Sequence, residues 1–157
     1  MTNAAVVRRA SAGDRADFRT VIEGFDPGMI DLPEQLFHDR YARLVDRDDY
    51  CLLLAYREAE PVGYALAQDY GPNLRLRFTI GRLHDLYVAE EHRRHGLGRL
   101  LMDGVFAWAR GRPEPMILHW QASQEAVAFY ESLGLEADRV GDYPRYPGFS
   151  LDLRTAG

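Results

Sequence analysis

The passage from residue 83 to residue 120 restricts the fold more than any other part of the chain. Leu83–Val88 is a short apolar run, Leu97, Leu100, Leu101, Val105 and Trp108 recur at helical spacing, and Met116–Trp120 is a second apolar run. Gly111 and Pro113 stop the helix between the two runs. A strand, a long helix and a strand in succession make a crossover, which joins parallel neighbours and lays a helix on the sheet. The chain therefore reads as α/β, with a central mixed sheet flanked by helices.

The remaining segments add mostly antiparallel strands. Ala5–Ala10 is a strand, and Ser11-x-x-Asp14 starts a helix that carries Phe18, Val21, Ile22 and Phe25 and runs to about Gly24. Pro27 and Gly28 break the chain, and Pro33 opens a second helix with Phe37, Tyr41, Leu44 and Val45 on one face. Tyr50–Tyr56 and Val62–Gln68 flank a hairpin turn at Glu58–Pro61. After a second turn at Gly71–Asn73, Leu74, Leu76, Phe78 and Ile80 alternate with Arg75, Arg77 and Thr79, which predicts a strand with one wet face, bulged at Gly81 and resuming at Leu83. Ser123 caps a helix with Ala126, Val127, Tyr130 and Leu133, Gly134 ends it, and short strands follow near Leu135–Val140 and Phe149–Leu153. The predicted order is β-α-α-β-β-β-α-β-α-β-β. No repeat or linker interrupts it, so residues 1–157 read as one domain.

Composition removes several functions. With 157 residues and 46% hydrophobic content the chain has one sizeable core, and no apolar stretch approaches the roughly 18–20 residues that span a bilayer. The first ten residues lack the apolar region of a secretory signal, so the expected location is cytoplasmic, away from membranes. All 19 basic residues are arginine, which excludes a Schiff-base or P-loop lysine. The net charge is -5 with a pI near 5.5, and the acidic excess lies in residues 1–70, with 13 acids against 8 arginines. No nucleic-acid partner is expected from that balance. A single cysteine, Cys51, and scattered His92, His95 and His119 offer no metal spacing, so no metal is expected.

The chemistry centres on Arg93-Arg94-His95-Gly96-Leu97-Gly98, where a strand hands over to the long helix. Glycines there let the backbone bend and approach a ligand, while the free N–H groups at the helix start attract an anion such as a pyrophosphate. Neither Gly-x-Gly-x-x-Gly nor a Walker sequence occurs.

Leu83-His84-Asp85-Leu86-Tyr87-Val88, then Arg93-x-x-Gly96-x-Gly98, then Ser123-x-x-Ala126-x-x-Phe129-Tyr130-x-x-x-Gly134-Leu135 together resemble the GNAT superfamily of acyl-CoA-dependent N-acyltransferases. The resemblance covers the whole chain and implies a GNAT-like domain in which the strands at Leu83 and Met116 splay to form an acyl-CoA slot. It further implies acetyl-CoA as co-substrate, its pantetheine arm along Leu86, Tyr87 and Val88 and its pyrophosphate on Arg93, Arg94, His95, Gly96, Leu97, Gly98 and Arg99. Where many members carry asparagine, this chain has Ser123, which keeps a helix cap and leaves a side-chain amide contact to the cofactor in doubt.

Tyr130 matches the family tyrosine near the thioester sulfur. A phenol near pKa ~10 stays protonated at neutral pH and faces a thiolate whose conjugate acid lies near ~8.5; packing within its apolar stripe is the alternative reading. His84 is the candidate base, because on a strand it shares a face with Leu86 and Val88, the side expected to look toward the acceptor. An amine near pKa ~10.4 must lose a proton before attack, costing roughly 4 kcal/mol at neutral pH, and an imidazole near ~6.5 can relay it. Asp85 points to the opposite face and reads as a structural acceptor, with Asp69 and Tyr87 as further options for the base.

The expected reaction moves an acetyl group to a primary amine by direct attack in a ternary complex, needing no covalent nucleophile. A protein or peptide acceptor and a silent acyl-CoA-binding module are the competing readings. Glu23, Asp26, Asp31 and Glu34 concentrate negative charge between the first two helices, which by resemblance border the acceptor mouth, so Asp26, Asp31 and Glu34 are expected to receive a small cationic molecule. Solvated surface charge explains the same residues. Superfamily members often form homodimers, and Tyr143, Tyr146 and Phe149 are candidates for that face or for closing over the site.

Overall fold

The structure is a computed structural model that describes residues 4–28, 31–139 and 148–153. In chain order its elements are β1 (Ala5–Arg9), α1 (Arg15–Phe25), α2 (Glu34–Val45), β2 (Tyr50–Arg57), β3 (Glu60–Pro72), β4 (Thr79–Val88), α3 (Leu97–Arg110), β5 (Met116–Gln121), α4 (Gln124–Ser132), β6 (Ala137–Arg139) and β7 (Gly148–Asp152), the expected order. The strands form one mixed sheet in the order β1-β2-β3-β4-β5-β7-β6. β1 and β2, β5 and β7, and β6 and β7 pair antiparallel, whereas β4 and β5, joined through α3, pair parallel. Glu58 and Ala59, at φ 51° and 66°, form the two-residue turn whose twist suits a hairpin between β2 and β3. Residues 73–78 join β3 to β4 and are too few for a parallel crossover.

The chain forms two compact units, Met1–Ala67 with Asp85–Val105, and Gln68–His84 with Phe106–Gly157. In the first, Phe18 and Val21 of α1 and Phe37, Tyr41 and Val45 of α2 pack on Leu52, Leu54, Tyr56 and Tyr64. Each fully buried side chain of this kind contributes on the order of 1.5–3 kcal/mol. The opposite face of β2 meets α3, where a Cβ at Gly104 would stand 2.6 Å from Leu53 Cδ1. The helix-start signal works through Asp14, which accepts the Ser11 N–H at 2.8 Å and takes both Arg8 guanidinium nitrogens at 2.7 Å. In the second unit Trp120 stacks on Phe149 at 5.9 Å, and Asp69 is buried against Arg112 at 2.9 Å while accepting the Gly71 N–H. Asp69 is thereby committed to structure.

Several local expectations change. Leu74–Phe78 is a series of bends rather than a strand, with Leu74 98% exposed. Its alternation has no core to face, and the Asn73 side-chain oxygen instead accepts the N–H groups of Arg75 and Leu76 at 2.8 and 3.2 Å. Thr79 is buried, the reverse of a wet face. The β4–β5 register runs through Gly81 without a shift, and the Met116 sulfur occupies the space of the missing Cβ, so on its β5 side this glycine serves close packing. Ser123 takes the N-cap place with extended backbone, but its hydroxyl makes no capping bond. Leu100 faces solvent on α3. Phe149 is enclosed within the second unit and presents no dimer face, and Val140, Tyr143 and Tyr146 lie outside the described residues.

Candidate active site

The ladder between β4 and β5 pairs Thr79–Arg82 with Met116–His119, and β4 continues beyond it to Val88. Leu86, Tyr87 and Val88 thus belong to a half-buried strand end past the last paired residue of that ladder. On its β3 side this strand end is held tightly. The Ala89 N–H donates to the Val62 carbonyl at 2.8 Å, and a Cβ at Gly63 would stand 2.6 Å from the Tyr87 carbonyl oxygen. Only glycine permits that approach. The sequence carried a signal for it, a glycine inside the apolar run Val62–Ala67.

A single 3-10 turn, Glu90–His92, leads from this strand into the glycine loop. Arg93 Nε donates to the Val88 carbonyl at 2.8 Å, tying loop to strand, and His95 Nδ1 lies 2.8 Å from the Arg93 carbonyl oxygen. Arg94 and Gly96 take left-handed φ of 65° and 80°. Alternation of left-handed residues with others is the backbone pattern from which anion-binding nests are built. Apart from its chain neighbours, no described residue lies within 4 Å of a Cβ built on Gly96. The buried Leu97 side chain anchors the start of α3, with Gly98 and the exposed Arg99 in its first turn. Backbone donors, a helix start and arginines are the chemistry a pyrophosphate requires, so the residues present fit the cofactor that the fold implies.

Asp26 caps the C-terminal end of α1, Asp31 is exposed, and Glu34 is exposed in the first turn of α2; residues 29 and 30 between them lie outside the described residues.

In the second unit His84 is exposed, with Nε2 3.0 Å from Gln68 Oε1 and its ring 6.2 Å from that of Tyr70. Tyr130 is buried on α4, the helix that Ser123 opens, with ring centroids 5.4 Å from Trp120 and 5.1 Å from both Phe129 and Phe149. Burial pushes its phenol up to about 12. Cys51 is buried, and desolvation raises its thiol to about 11, leaving no thiolate at neutral pH. Among the described residues no group of three or more His, Cys, Asp or Glu side chains is arranged for a metal ion, and no helix is long and apolar enough to cross a membrane.

The family model for the Acetyltransferase (GNAT) family matches residues 18–135. An uncharacterized N-acetyltransferase of Archaeoglobus fulgidus is 27% identical over 141 residues, covering 86% of this chain and 95% of the relative. The acetyltransferase of GNAT family from Streptococcus pneumoniae has a similar fold, with a TM-score of 0.73 at 20% identity over 96% of this chain and 99% of the other. So does Arabidopsis thaliana NAA60 in complex with acetyl-CoA, with a TM-score of 0.66 at 17% identity over 95% and 99% of the two chains. The glycine loop between strand and helix, the buried tyrosine of α4 and a match spanning most of the chain meet in one conclusion: the protein belongs to the GNAT family and is an acyl-CoA-dependent N-acetyltransferase.

Proposed function

We propose that the protein transfers the acetyl group of acetyl-CoA to a primary amine of a small cationic molecule, by direct attack with both substrates bound. One observation carries the reading. A strand end extending past its ladder at Leu86–Val88 is followed by a loop with left-handed Arg94 and Gly96 and by the start of a 14-residue helix. The backbone of Leu86, Tyr87 and Val88 offers hydrogen bonds to an extended amide-bearing arm, and the amides from Arg93 to Arg99 offer donors to its phosphates, with Arg94 and Arg99 adding charge.

Acetyl-CoA supplies an activated thioester. The amine nitrogen forms a bond to the acyl carbon as the carbon–sulfur bond breaks. Tyr130 donates its phenolic proton toward the departing sulfur, and the nitrogen gives up a proton to His84, directly or through water. The Gln68 contact at 3.0 Å orients the imidazole for that task. The carboxylates of Asp26, Asp31 and Glu34 favour a cationic acceptor by raising its local concentration. The reaction belongs in the cytoplasm, where the thiol of Cys51 stays reduced.

Calorimetry of CoA with the wild type and Gly98→Val tests the cofactor half. A side chain at the helix start should weaken binding at least tenfold, and unchanged affinity overturns this placement. Release of free thiol from acetyl-CoA across an amine panel tests the other half. Turnover confined to peptides would move the acceptor from small molecules to proteins.

A further inference from the structure

The strand β5 sorts its side chains by face. Met116, Leu118 and Trp120 are buried, and the Trp120 ring meets Phe106 of α3 and Tyr130 of α4, so Ile117, His119 and Gln121 stand on the sheet face turned away from those helices. Register carries that face across three strands: Arg82 of β4 pairs with His119, and His119 pairs with Ser150 of β7. The three form one polar row within the second unit. Arg82 and His119 are also the last rung of the β4–β5 ladder. Two residues further, the same face of β4 presents His84, the proton acceptor proposed above, with its ring held by Gln68 at 3.0 Å.

The row is built for an anion. Ser150 Oγ lies 2.9 Å from His119 Nδ1, and with the hydroxyl donating there, the imidazole carries its proton on Nε2. Arg82 is half-buried and forms no ion pair and no side-chain hydrogen bond with another described residue. On this face the paired residues of β4, β5 and β7 include one carboxylate, Asp152, which stands a rung away opposite Ile117. A guanidinium fork beside an imidazole fixed by a hydroxyl offers donors matched to a carboxylate or a phosphate. His119 is exposed, so the row is open to solvent.

Arg82 and His84 alternate on one strand face, roughly 6.6 Å apart along the chain. An anionic group on Arg82 and an amine at His84 therefore belong to one molecule when several bonds separate them. We infer that Arg82, with His119 and Ser150, binds an anionic group, carboxylate or phosphate, of the amine that is acetylated. The inference rests on the acetyl transfer proposed above and adds the class of acceptor. An acceptor with two amino groups and one carboxylate keeps the net positive charge of that proposal.

The test uses pairs that differ only in the anion: L-lysine against 1,5-diaminopentane, L-ornithine against 1,4-diaminobutane, and 5-aminopentyl phosphate against 1-aminopentane. For the wild type, kcat/KM should favour the anionic member of at least one pair by about tenfold, mainly through KM. Preference in the first two pairs identifies a carboxylate, and preference confined to the third identifies a phosphate. In Arg82→Gln the ratio should fall to within about twofold of unity, and Arg82→Lys, which keeps the charge without the fork, should retain part of it. Ser150→Ala should lower the ratio about threefold and does not depend on Arg82→Gln folding. Calorimetry of the same compounds, with and without CoA, reads binding apart from turnover. No preference in any pair, or a folded Arg82→Gln protein with an unchanged ratio, overturns the inference. Tighter, Arg82-dependent binding of the anionic member in a protein that releases no thiol with any amine would overturn the acetyl transfer and keep the anion site.

Discussion

Arg93 donates from Nε to the carbonyl oxygen of Val88 at 2.8 Å, fastening the first residue of the glycine loop to the last residue of β4. The contact gives this arginine a structural duty besides any charge it offers to a phosphate. It sets where the backbone donors of the loop stand relative to Leu86–Val88, on which the length of an extended arm with a diphosphate at its end would be measured. Arg93→Ala removes a charge-assisted bond worth about 1–1.5 kcal/mol at a solvent-exposed position. CoA affinity by calorimetry should fall about tenfold, while KM for the amine changes little.

Gly63→Ala places a methyl group against the Tyr87 carbonyl, 2.6 Å away before relaxation. Neither strand backbone yields easily, so the cost in stability should be about 1–3 kcal/mol. Denaturant unfolding measures that loss, and CoA affinity should fall with it because the displaced residues are Tyr87 and Val88. A stability loss with unchanged affinity would separate this strand end from the cofactor.

Tyr130→Phe should lower kcat by ten- to a hundredfold and leave CoA affinity nearly intact. With the phenol pushed up to about 12, Tyr130 remains protonated through the assay range, so it contributes no falling limb to the pH–rate profile below about pH 11. The same shift has a sign for stability. The folded state binds this proton more tightly than the unfolded chain, whose tyrosine titrates near ~10, so the stabilisation is complete below that pH and is lost as pH rises from about 10 toward 12. Tyr130→Phe should flatten that alkaline loss in a pH series of melting temperatures.

His84→Ala should depress activity most at the acid end of the profile, where free amine is scarce and removing its proton limits the rate. Gln68→Ala, which frees the ring from its 3.0 Å partner, should show a weaker form of the same change. Equal rates for wild type and both variants from pH 6 to 9 would assign the proton to water alone.

Asp26→Asn combined with Asp31→Asn should reduce kcat/KM for a dicationic amine severalfold at low salt and hardly at all at high salt, because charges near the surface act through a screened field. Steady-state kinetics at two ionic strengths checks this, with a neutral acceptor as control.

Most of the element order was legible because its signals are local. Pro33 ahead of α2, Gly134 after α4 and the helical stripes of α1 and α3 each report a backbone preference or a buried face within a few residues. Leu74–Phe78 shows where such reading ends. Its alternation is as regular as that of a strand, but a strand exists only when a partner takes its hydrogen bonds and a core takes its apolar face, and the Asn73 side chain takes two of those N–H groups instead. The glycine loop and Tyr130 could be found as motifs. Two relationships could not, Arg93 with Val88 and Gly63 with the Tyr87 carbonyl, because each depends on how loop meets strand or strand meets strand. The sequence by itself determined the fold class, most of the elements and the motif residues proposed to hold an acyl carrier. Tertiary structure alone decided that Asp69 is buried against Arg112, since pairing and burial of charge are properties of packed neighbours that no single strand carries in its own pattern.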